Sequence, residues 1–139
     1  MERDKQLFFK RGYKYQTSRD YHIKLDVVPV EPIALPFVRM DKEGNTVIYA
    51  GYAWNGASGP TIDTLTTMIA SLGHDLGYQL IRLGLLDKKY KEYFDELLAK
   101  IGIEDGMCPL RANSWCVAVK LFGNGSCRPS AEPKEEVAP

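Results

Sequence analysis

Four side chains that could take part in proton transfer follow a regular spacing in the sequence: His74, Asp75, Tyr78 and, seventeen residues later, Asp95. Histidine changes charge near neutral pH, which makes it a common general base. A carboxylate on one ring nitrogen would fix the tautomer and raise the basicity of the ring. The spacing therefore predicts a polar site in which Asp95 contacts a ring nitrogen of His74 and Tyr78 donates its hydroxyl to the same carboxylate.

His74 lies on the most apolar helix that the sequence predicts, over residues 65–83. On a helical wheel, His74 and Tyr78 lie nearly opposite the main apolar stripe, and Asp75 lies between the two faces. A helix that is apolar on most sides is usually central and packed on several faces. Its stripe comprises Leu65, Met68, Ile69, Leu72, Leu76 and Leu80.

The ends and the packing of this helix also follow from residue types. Asp63 is the predicted N-cap and Gly84 the predicted stop. Gly73 and Gly77 lie one turn apart and would let another element approach the backbone closely. We therefore expect a tightly packed neighbour on the glycine side.

A second helix is predicted to run from its N-cap Asp87 to Ile101, with Gly102 as its stop. The short connection before it would fold it back antiparallel to the first helix. Asp95 lies on the margin of its apolar stripe and would then reach a ring nitrogen of His74. The stripe comprises Tyr90, Phe94, Leu97, Leu98 and Ile101.

Residues 7–54 are predicted to be rich in strands. Apolar and polar side chains alternate over residues 21–27, which is typical of a half-buried strand. A turn over residues 41–45 separates two extended runs, 33–40 and 46–54. Prolines at the start of the first run and within it indicate an edge or interrupted strand.

A third helix is predicted from Pro109 to about Phe122. The order of elements predicts an α+β domain over residues 1–122, with a small N-terminal antiparallel sheet followed by a three-helix C-terminal layer. Residues 123–139 are rich in proline and glutamate and are predicted to form a flexible tail. The expected core of the third helix comprises Trp115, Cys116, Val119 and Phe122.

The balanced composition argues against charge-driven partners. Eighteen basic and eighteen acidic side chains give a formal net charge of zero, whereas nucleic-acid binders and polybasic membrane anchors carry a basic surplus. No apolar run reaches the length of a bilayer span, so we expect no integral membrane segment. Cys108, Cys116 and Cys127 lack metal-ligand spacing and indicate reduced thiols of a protein made in a cytoplasm.

The order His74-Asp75-x-x-Tyr78 with the later Asp95 resembles the active site of secreted, calcium-dependent phospholipase A2. The resemblance implies that His74 deprotonates the attacking water and that Asp75 binds a calcium ion. It also implies that Asp95 orients His74 and that Tyr78 supports Asp95. These roles come from the resemblance and cover about forty residues of the chain.

An upstream loop, Trp54-Asn-Gly-Ala-Ser58, is similar to the calcium loop of bacterial phospholipases A2. This similarity implies that Asn55 and Gly56 complete the metal site with Asp75. Asn55 stands where the bacterial loop has an acidic ligand, which removes a negative charge and should weaken calcium binding. The disulfides of the secreted enzymes are absent as well.

A longer resemblance extends over roughly residues 20–123. In this region the chain is similar to a domain family of unknown function that is common in tailed bacteriophages and prophages. The resemblance implies a phage origin and no particular activity. Its matching segments are Asn55-Gly-Ala-Ser-Gly-Pro60, His74-Asp75-Leu-Gly-Tyr78, Asp95-Glu-Leu-Leu98, Asp105-Gly-Met107, Arg111-Ala112 and Leu121-Phe-Gly123.

Two functional classes follow from these observations. The first is a virion-associated phage protein, such as a tail accessory component, or a host-interaction factor that binds phage or host proteins. In that class the His74–Asp95 pair is a buried clamp between helices. The second is a small calcium-assisted hydrolase with His74 as general base, acting on lipid or cell-envelope esters. The missing acidic loop ligand and the neutral surface favour the first class.

Two other enzyme classes are disfavoured. A histidine–aspartate metal phosphohydrolase needs further histidine ligands, and the chain offers only His22 in a predicted strand. Ser58 lies in no nucleophile-elbow context, which disfavours a serine hydrolase.

Overall fold

The computed structural model describes residues 3, 6–9, 14–56 and 64–138. The predicted α+β fold is confirmed, since small antiparallel sheets precede three helices. The helices are α1 (Met68–Arg82), α2 (Lys91–Glu104) and α3 (Pro109–Phe122). The strands are β1 (Leu7–Phe9), β2 (Tyr15–Gln16), β3 (Tyr21–Lys24), β4 (Ile33–Leu35), β5 (Val38–Met40), β6 (Asn45–Ile48), β7 (Ala53–Trp54) and β8 (Glu136–Ala138).

The main sheet has four antiparallel strands in the order β3-β6-β5-β4. Ile48 on β6 lies between Tyr21 on β3 and Val38 on β5, and the sheet buries Val38, Met40 and Ile48 completely. Alternate residues point away from this buried face because side chains alternate along a strand. The sheet therefore has one apolar face, and part of the core packs against it.

Both predicted extended runs are broken in the structure. The run over 33–40 is a tight hairpin of β4 and β5 that turns at Pro36, whose fixed φ suits a turn and whose nitrogen cannot donate to a sheet. The run over 46–54 divides into β6 and β7, which belong to different sheets. As expected from the prolines, β4 lies at the edge.

The predicted turn over residues 41–45 is present. The Asp41 carboxylate accepts hydrogen bonds from the backbone N–H groups of Glu43 at 3.0 Å and Asn45 at 2.9 Å. Gly44 has a φ of +85°, and a Cβ at this position would overlap the carbonyl oxygen of Leu25. Only glycine fits this turn without strain.

The α1 helix begins later than the sequence predicted. A 3-10 turn over Leu65–Thr67 precedes it, and the Thr64 N–H donates to the Thr67 hydroxyl at 2.9 Å. The predicted N-cap Asp63 lies outside the described residues. Gly84 ends the helix as expected, with a φ of +75° and an N–H that donates to the carbonyl of Ile81.

The α2 helix continues beyond its predicted end. Asp87 accepts a hydrogen bond from the Lys89 N–H and caps a 3-10 turn that leads into the helix. Gly102 remains helical, and its missing side chain leaves room for Met107. The stop is Gly106, whose φ of +101° reverses the chain so that Met107 N–H reaches the Gly102 carbonyl at 2.8 Å.

The core has two parts, which meet around α2. One part joins the main sheet to α1 and α2, and the other joins α2 to α3. Gly77 makes the α1–α2 contact close, because a Cβ there would overlap the ring of Phe94. Gly73 is less constrained, since a Cβ there would meet its neighbours at 3.9 Å.

Two residues that were predicted in the core are exposed. Leu65 is 92% exposed because the 3-10 turn ends its stripe before α1 begins. Phe122 is 82% exposed because it is the last residue of α3, where the following chain leaves the helix. Trp115, Cys116 and Val119 are buried as expected.

The segment after α3, predicted to be a flexible tail, makes specific contacts with α1. The Arg82 guanidinium donates from Nε to Glu132 at 3.0 Å and from Nη1 to the Ser126 carbonyl at 3.0 Å. Two short 3-10 turns lie in this segment, and β8 pairs with β1. Its flexibility stays a prediction, but these contacts give the segment a defined place beside α1.

The three cysteines form no disulfide in the structure, with Cys108 exposed and Cys116 buried. Within the described parts of the chain, no helix combines the length and the apolar character that a membrane crossing requires.

Candidate functional site

The site is built around a buried histidine–aspartate pair that joins α1 to α2. His74 Nε2 lies 2.9 Å from Asp95 Oδ1, and the two residues are 6% and 0% exposed. An ionised carboxylate only accepts hydrogen bonds, so Nε2 carries the proton that this bond uses. In the neutral imidazole, Nδ1 is therefore the nitrogen with the free electron pair. The predicted contact between His74 and Asp95 is present.

Tyr78 completes the predicted trio. Its hydroxyl donates to the same Asp95 oxygen at 2.5 Å, and its ring lies 4.0 Å from the His74 ring, centroid to centroid. Burial, and then the hydrogen bond to Asp95, raises the pKa of Tyr78 far above its ordinary value. Tyr78 thus keeps its proton and acts as a hydrogen-bond donor.

Lys91 is a fourth member that we did not predict from the sequence. Its ammonium donates to Asp95 Oδ2 at 2.7 Å and to the carbonyls of Val119 at 3.2 Å and Lys120 at 3.4 Å. The last two acceptors belong to the C-terminal turn of α3, where the helix dipole favours a cation. The spacing of four residues between Lys91 and Asp95 was the available signal, since such pairs meet on a helix.

These contacts determine the charge state of the pair. Burial alone would raise the pKa of Asp95, but hydrogen bonds from His74, Lys91 and Tyr78 outweigh burial and lower the pKa. Burial alone would lower the pKa of His74, but its interactions with the carboxylates of Asp75 and Asp95 outweigh burial and raise the pKa above 6.5. Asp95 is therefore an anion at neutral pH, and His74 is a stronger base than free histidine.

The second carboxylate, Asp75, lies on the other side of the imidazole. Its Oδ1 is 3.7 Å from His74 Nδ1, and its Oδ2 accepts the Asn55 N–H at 3.3 Å. The Asp75 side chain is 27% exposed, in contrast to Asp95. The structure thus brings together Asp75, Asn55 and Gly56, the three residues predicted to bind calcium, at one cleft.

The described residues supply a sparse set of metal ligands at this point. No group of three or more His, Cys, Asp or Glu side chains that could hold a metal ion occurs among them. Asp75 contributes one carboxylate, and the backbone group that meets it, the Asn55 N–H, is a donor and not a ligand. Ala57 and Ser58 of the predicted loop lie outside the described residues.

A cleft of 690 Å³ opens beside His74 and Asp75. Trp54 forms one wall and is fixed by a hydrogen bond from its indole nitrogen to the Ser71 hydroxyl at 3.1 Å. The lining also includes Tyr52, whose hydroxyl donates to Gln79 at 2.8 Å. The end of α3 and the segment after it form the opposite wall, with Ala118, Val119, Phe122, Gly123 and Ser126.

Gly123 brings the end of α3 against the site. A Cβ at this position would overlap the Tyr78 hydroxyl, so the approach requires glycine. Gly106, with its positive φ, reverses the chain before α3, and Ala112 on α3 has no exposed surface. The Asp-Gly-Met, Arg-Ala and Leu-Phe-Gly segments of the sequence pattern therefore help to place α3 beside the histidine.

No family model, curated protein or solved structure matches this chain in comparisons with known proteins. The chemistry of the site is thus the basis for assigning a function.

Proposed function

We propose that the chain is a phage-encoded hydrolase in which His74 acts as the general base on a water molecule in the cleft. One observation carries this proposal. His74 Nε2 is held by the fully buried Asp95, while Nδ1 faces Asp75 at a cleft that could admit a substrate. A base that is anchored on one nitrogen and free on the other is the arrangement that general-base hydrolysis requires.

The two ring nitrogens of His74 have separate roles in the proposed reaction. Nδ1 accepts a proton from water as the water oxygen attacks the carbonyl carbon of an ester. Asp95 stabilises the imidazolium that forms, because their bond becomes an ion pair. The tetrahedral intermediate then expels the alcohol, which takes the proton back from Nδ1. One water is consumed, and one acid and one alcohol are released.

The ester class follows from the lining of the cleft. Trp54, Val119 and Phe122 give apolar walls, and Gln79 and Arg82 add polar groups along α1. This mixture suits an ester that has an apolar part, as lipid and cell-envelope esters do. Calcium, if bound at Asp75, would polarise the ester carbonyl. One carboxylate is a weak basis for that ion, so its binding stays a prediction.

The test compares two histidine variants of the full chain. We expect wild-type protein to release acid from phospholipid vesicles or from p-nitrophenyl butyrate, and His74→Gln to lose about 10²–10⁴-fold of that rate. His22→Gln is the matched control, because His22 is exposed on β3, and it should keep the wild-type rate. Equal rates for wild type and His74→Gln on lipid and envelope esters would refute the proposal.

A second function is favoured by a different observation. Asp95 accepts hydrogen bonds from His74, Tyr78 and Lys91, and Lys91 also ties the end of α3 to α2. Such a cluster also suits a structural phage protein, made in the host cytoplasm and carried in the virion or bound to host proteins. Mass spectrometry of purified particles tests this function, and absence of the chain from particles would count against a virion role.

A further inference from the structure

The cleft beside His74 follows one face of α1. Asp75, Gln79 and Arg82 are spaced by four and three residues, so their side chains lie on the same face of the helix, and all three line the cleft. Gln79 lies five residues after His74 in the sequence, which is about 7.5 Å along the helix axis. A substrate that reacts at His74 and extends along the cleft therefore passes Gln79.

The side-chain amide of Gln79 is held in one orientation. Its Oε1 accepts a hydrogen bond from the Tyr52 hydroxyl at 2.8 Å. Tyr52 is itself fixed, because it is 4% exposed and its ring lies 5.6 Å from the Phe37 ring, centroid to centroid. An amide nitrogen carries two donors, and no described residue accepts a hydrogen bond from Nε2 of Gln79. The amide thus offers two donors to a group in the cleft.

The charges along the cleft disfavour an anion beside Gln79. The Arg82 guanidinium is already paired with Glu132 and also binds the Ser126 carbonyl, both at 3.0 Å. Among the described residues, no lysine or arginine pairs with Asp75. A negative group at Gln79 would therefore meet the charge of Asp75 one helical turn away, whereas an uncharged oxygen would not.

We propose that Gln79 determines substrate specificity in the cleft by selecting esters that carry a second, uncharged acceptor oxygen. The carbonyl of another ester or of an amide, about 7–8 Å from the reacting carbonyl, has this chemistry. The inference rests on the proposed function of His74 as a base. The apolar walls at Trp54 and Val119 take the carbon chain between the two carbonyls.

The experiment compares three amide probes, which mimic the ester and resist hydrolysis. The first is a diamide in which a propylene chain joins two butyramide groups, so that its carbonyls match the spacing of His74 and Gln79 along α1. The second is N-propylbutyramide, which lacks the second carbonyl. The third is an N-butyryl amino acid that carries a carboxylate in place of the second carbonyl. Binding to the full chain is followed in calcium-free buffer by the NMR signal of the Trp54 indole N–H, with buried Trp115 as reference.

We expect the wild type to bind the diamide about tenfold more tightly than either other probe, which is the usual effect of one further hydrogen bond. Gln79→Met should lose this preference, and Tyr52→Phe should weaken it because the amide is no longer held. Gln16→Met is the matched control, since Gln16 is exposed on β2 and binds the Gly51 carbonyl. It should keep the wild-type preference.

Three results would overturn the proposal. They are equal affinity of the wild type for the diamide and the monoamide, an unchanged preference in Gln79→Met, and tighter binding of the carboxylate probe than of the diamide. If Gln79→Met does not fold, Gln79→Glu keeps the acceptor for Tyr52 and removes both donors, and the same loss is expected.

The failure of this inference can be distinguished from the failure of the proposed function. The probes are not hydrolysed, so a preference that depends on Gln79 in a protein without esterase activity would refute only the proposed function. Ester hydrolysis that is lost in His74→Gln, without any preference for the diamide, would overturn only the role of Gln79.

Discussion

Two aspartates flank His74 in this molecule, and they differ in burial and in hydrogen bonding. Asp95 is completely buried and accepts hydrogen bonds from His74, Tyr78 and Lys91 at 2.5–2.9 Å. Asp75 is partly exposed, lies 3.7 Å from the ring and borders the cleft. The comparison indicates that Asp95 fixes the geometry and charge of the site, whereas Asp75 is free to meet water, an ion or a substrate.

The largest expected effect comes from Asp95. Asp95→Asn removes the charge that Lys91 and His74 face, and leaves a buried ammonium without its counterion. We expect a loss of about 3–5 kcal/mol in the free energy of unfolding, measured by urea denaturation. A loss as small as that of Asp75→Asn would show that the two aspartates contribute equally to the free energy of unfolding, contrary to this interpretation.

A second, smaller effect tests the helix contact that places Asp95 near His74. Gly77→Ala would push a methyl group into the Phe94 ring, and overpacking of this kind costs about 1–3 kcal/mol. Gly73→Ala is the matched control on the same helix, since its methyl group would find ordinary contact distances. Urea denaturation should separate the two variants, and equal stability would contradict the close α1–α2 packing.

The free energy of unfolding should fall at high pH because of His74 and at low pH because of Asp95. Because folding raises the pKa of His74, its stabilisation is complete below 6.5 and is lost as pH rises through the folded value. Because folding lowers the pKa of Asp95, its stabilisation is present above 3.8 and is lost as pH falls through the folded value.

This sign pattern can be checked by measuring unfolding free energies between about pH 3 and 9. His74→Gln should remove the decline above pH 6.5 and keep the acid decline. The rate of any hydrolysis should rise over the same interval in which stability falls, since only neutral His74 accepts a proton. A rate that falls with increasing pH would exclude His74 as the base.

The smallest effect on stability is expected for Asp75. Asp75→Asn should change the free energy of unfolding by less than about 1 kcal/mol, because its ion pair is long and partly exposed. It should also lower the NMR titration midpoint of His74, since one of the two carboxylates loses its charge. If calcium raises the melting temperature of the wild type, Asp75→Asn should abolish that rise.

Much of the fold could be predicted because local patterns control it. The alternation over residues 21–27, the turn at Asp41 and the helix stops at glycines need only neighbouring residues. The structure has a strand over Tyr21–Lys24, a turn at Asp41 and a helix end at Gly84. The missed boundaries have tertiary causes. Gly102 is predicted as a helix stop from the sequence, yet α2 continues to Glu104 and Met107 packs against Gly102.

The spacing of residues was enough to predict that His74, Tyr78 one turn later and Asp95 on the next helix share one site, because spacing along a helix fixes which side chains lie on the same face. The tertiary structure was needed to show that the Asp95 carboxylate is buried and the Asp75 carboxylate is partly exposed. That choice depends on the close approach of α1 to α2 at Gly77 and of α3 to Tyr78 at Gly123. It also placed Lys91, which lies one turn before Asp95 on α2, against the Val119 and Lys120 carbonyls of α3, and no local pattern predicts that contact.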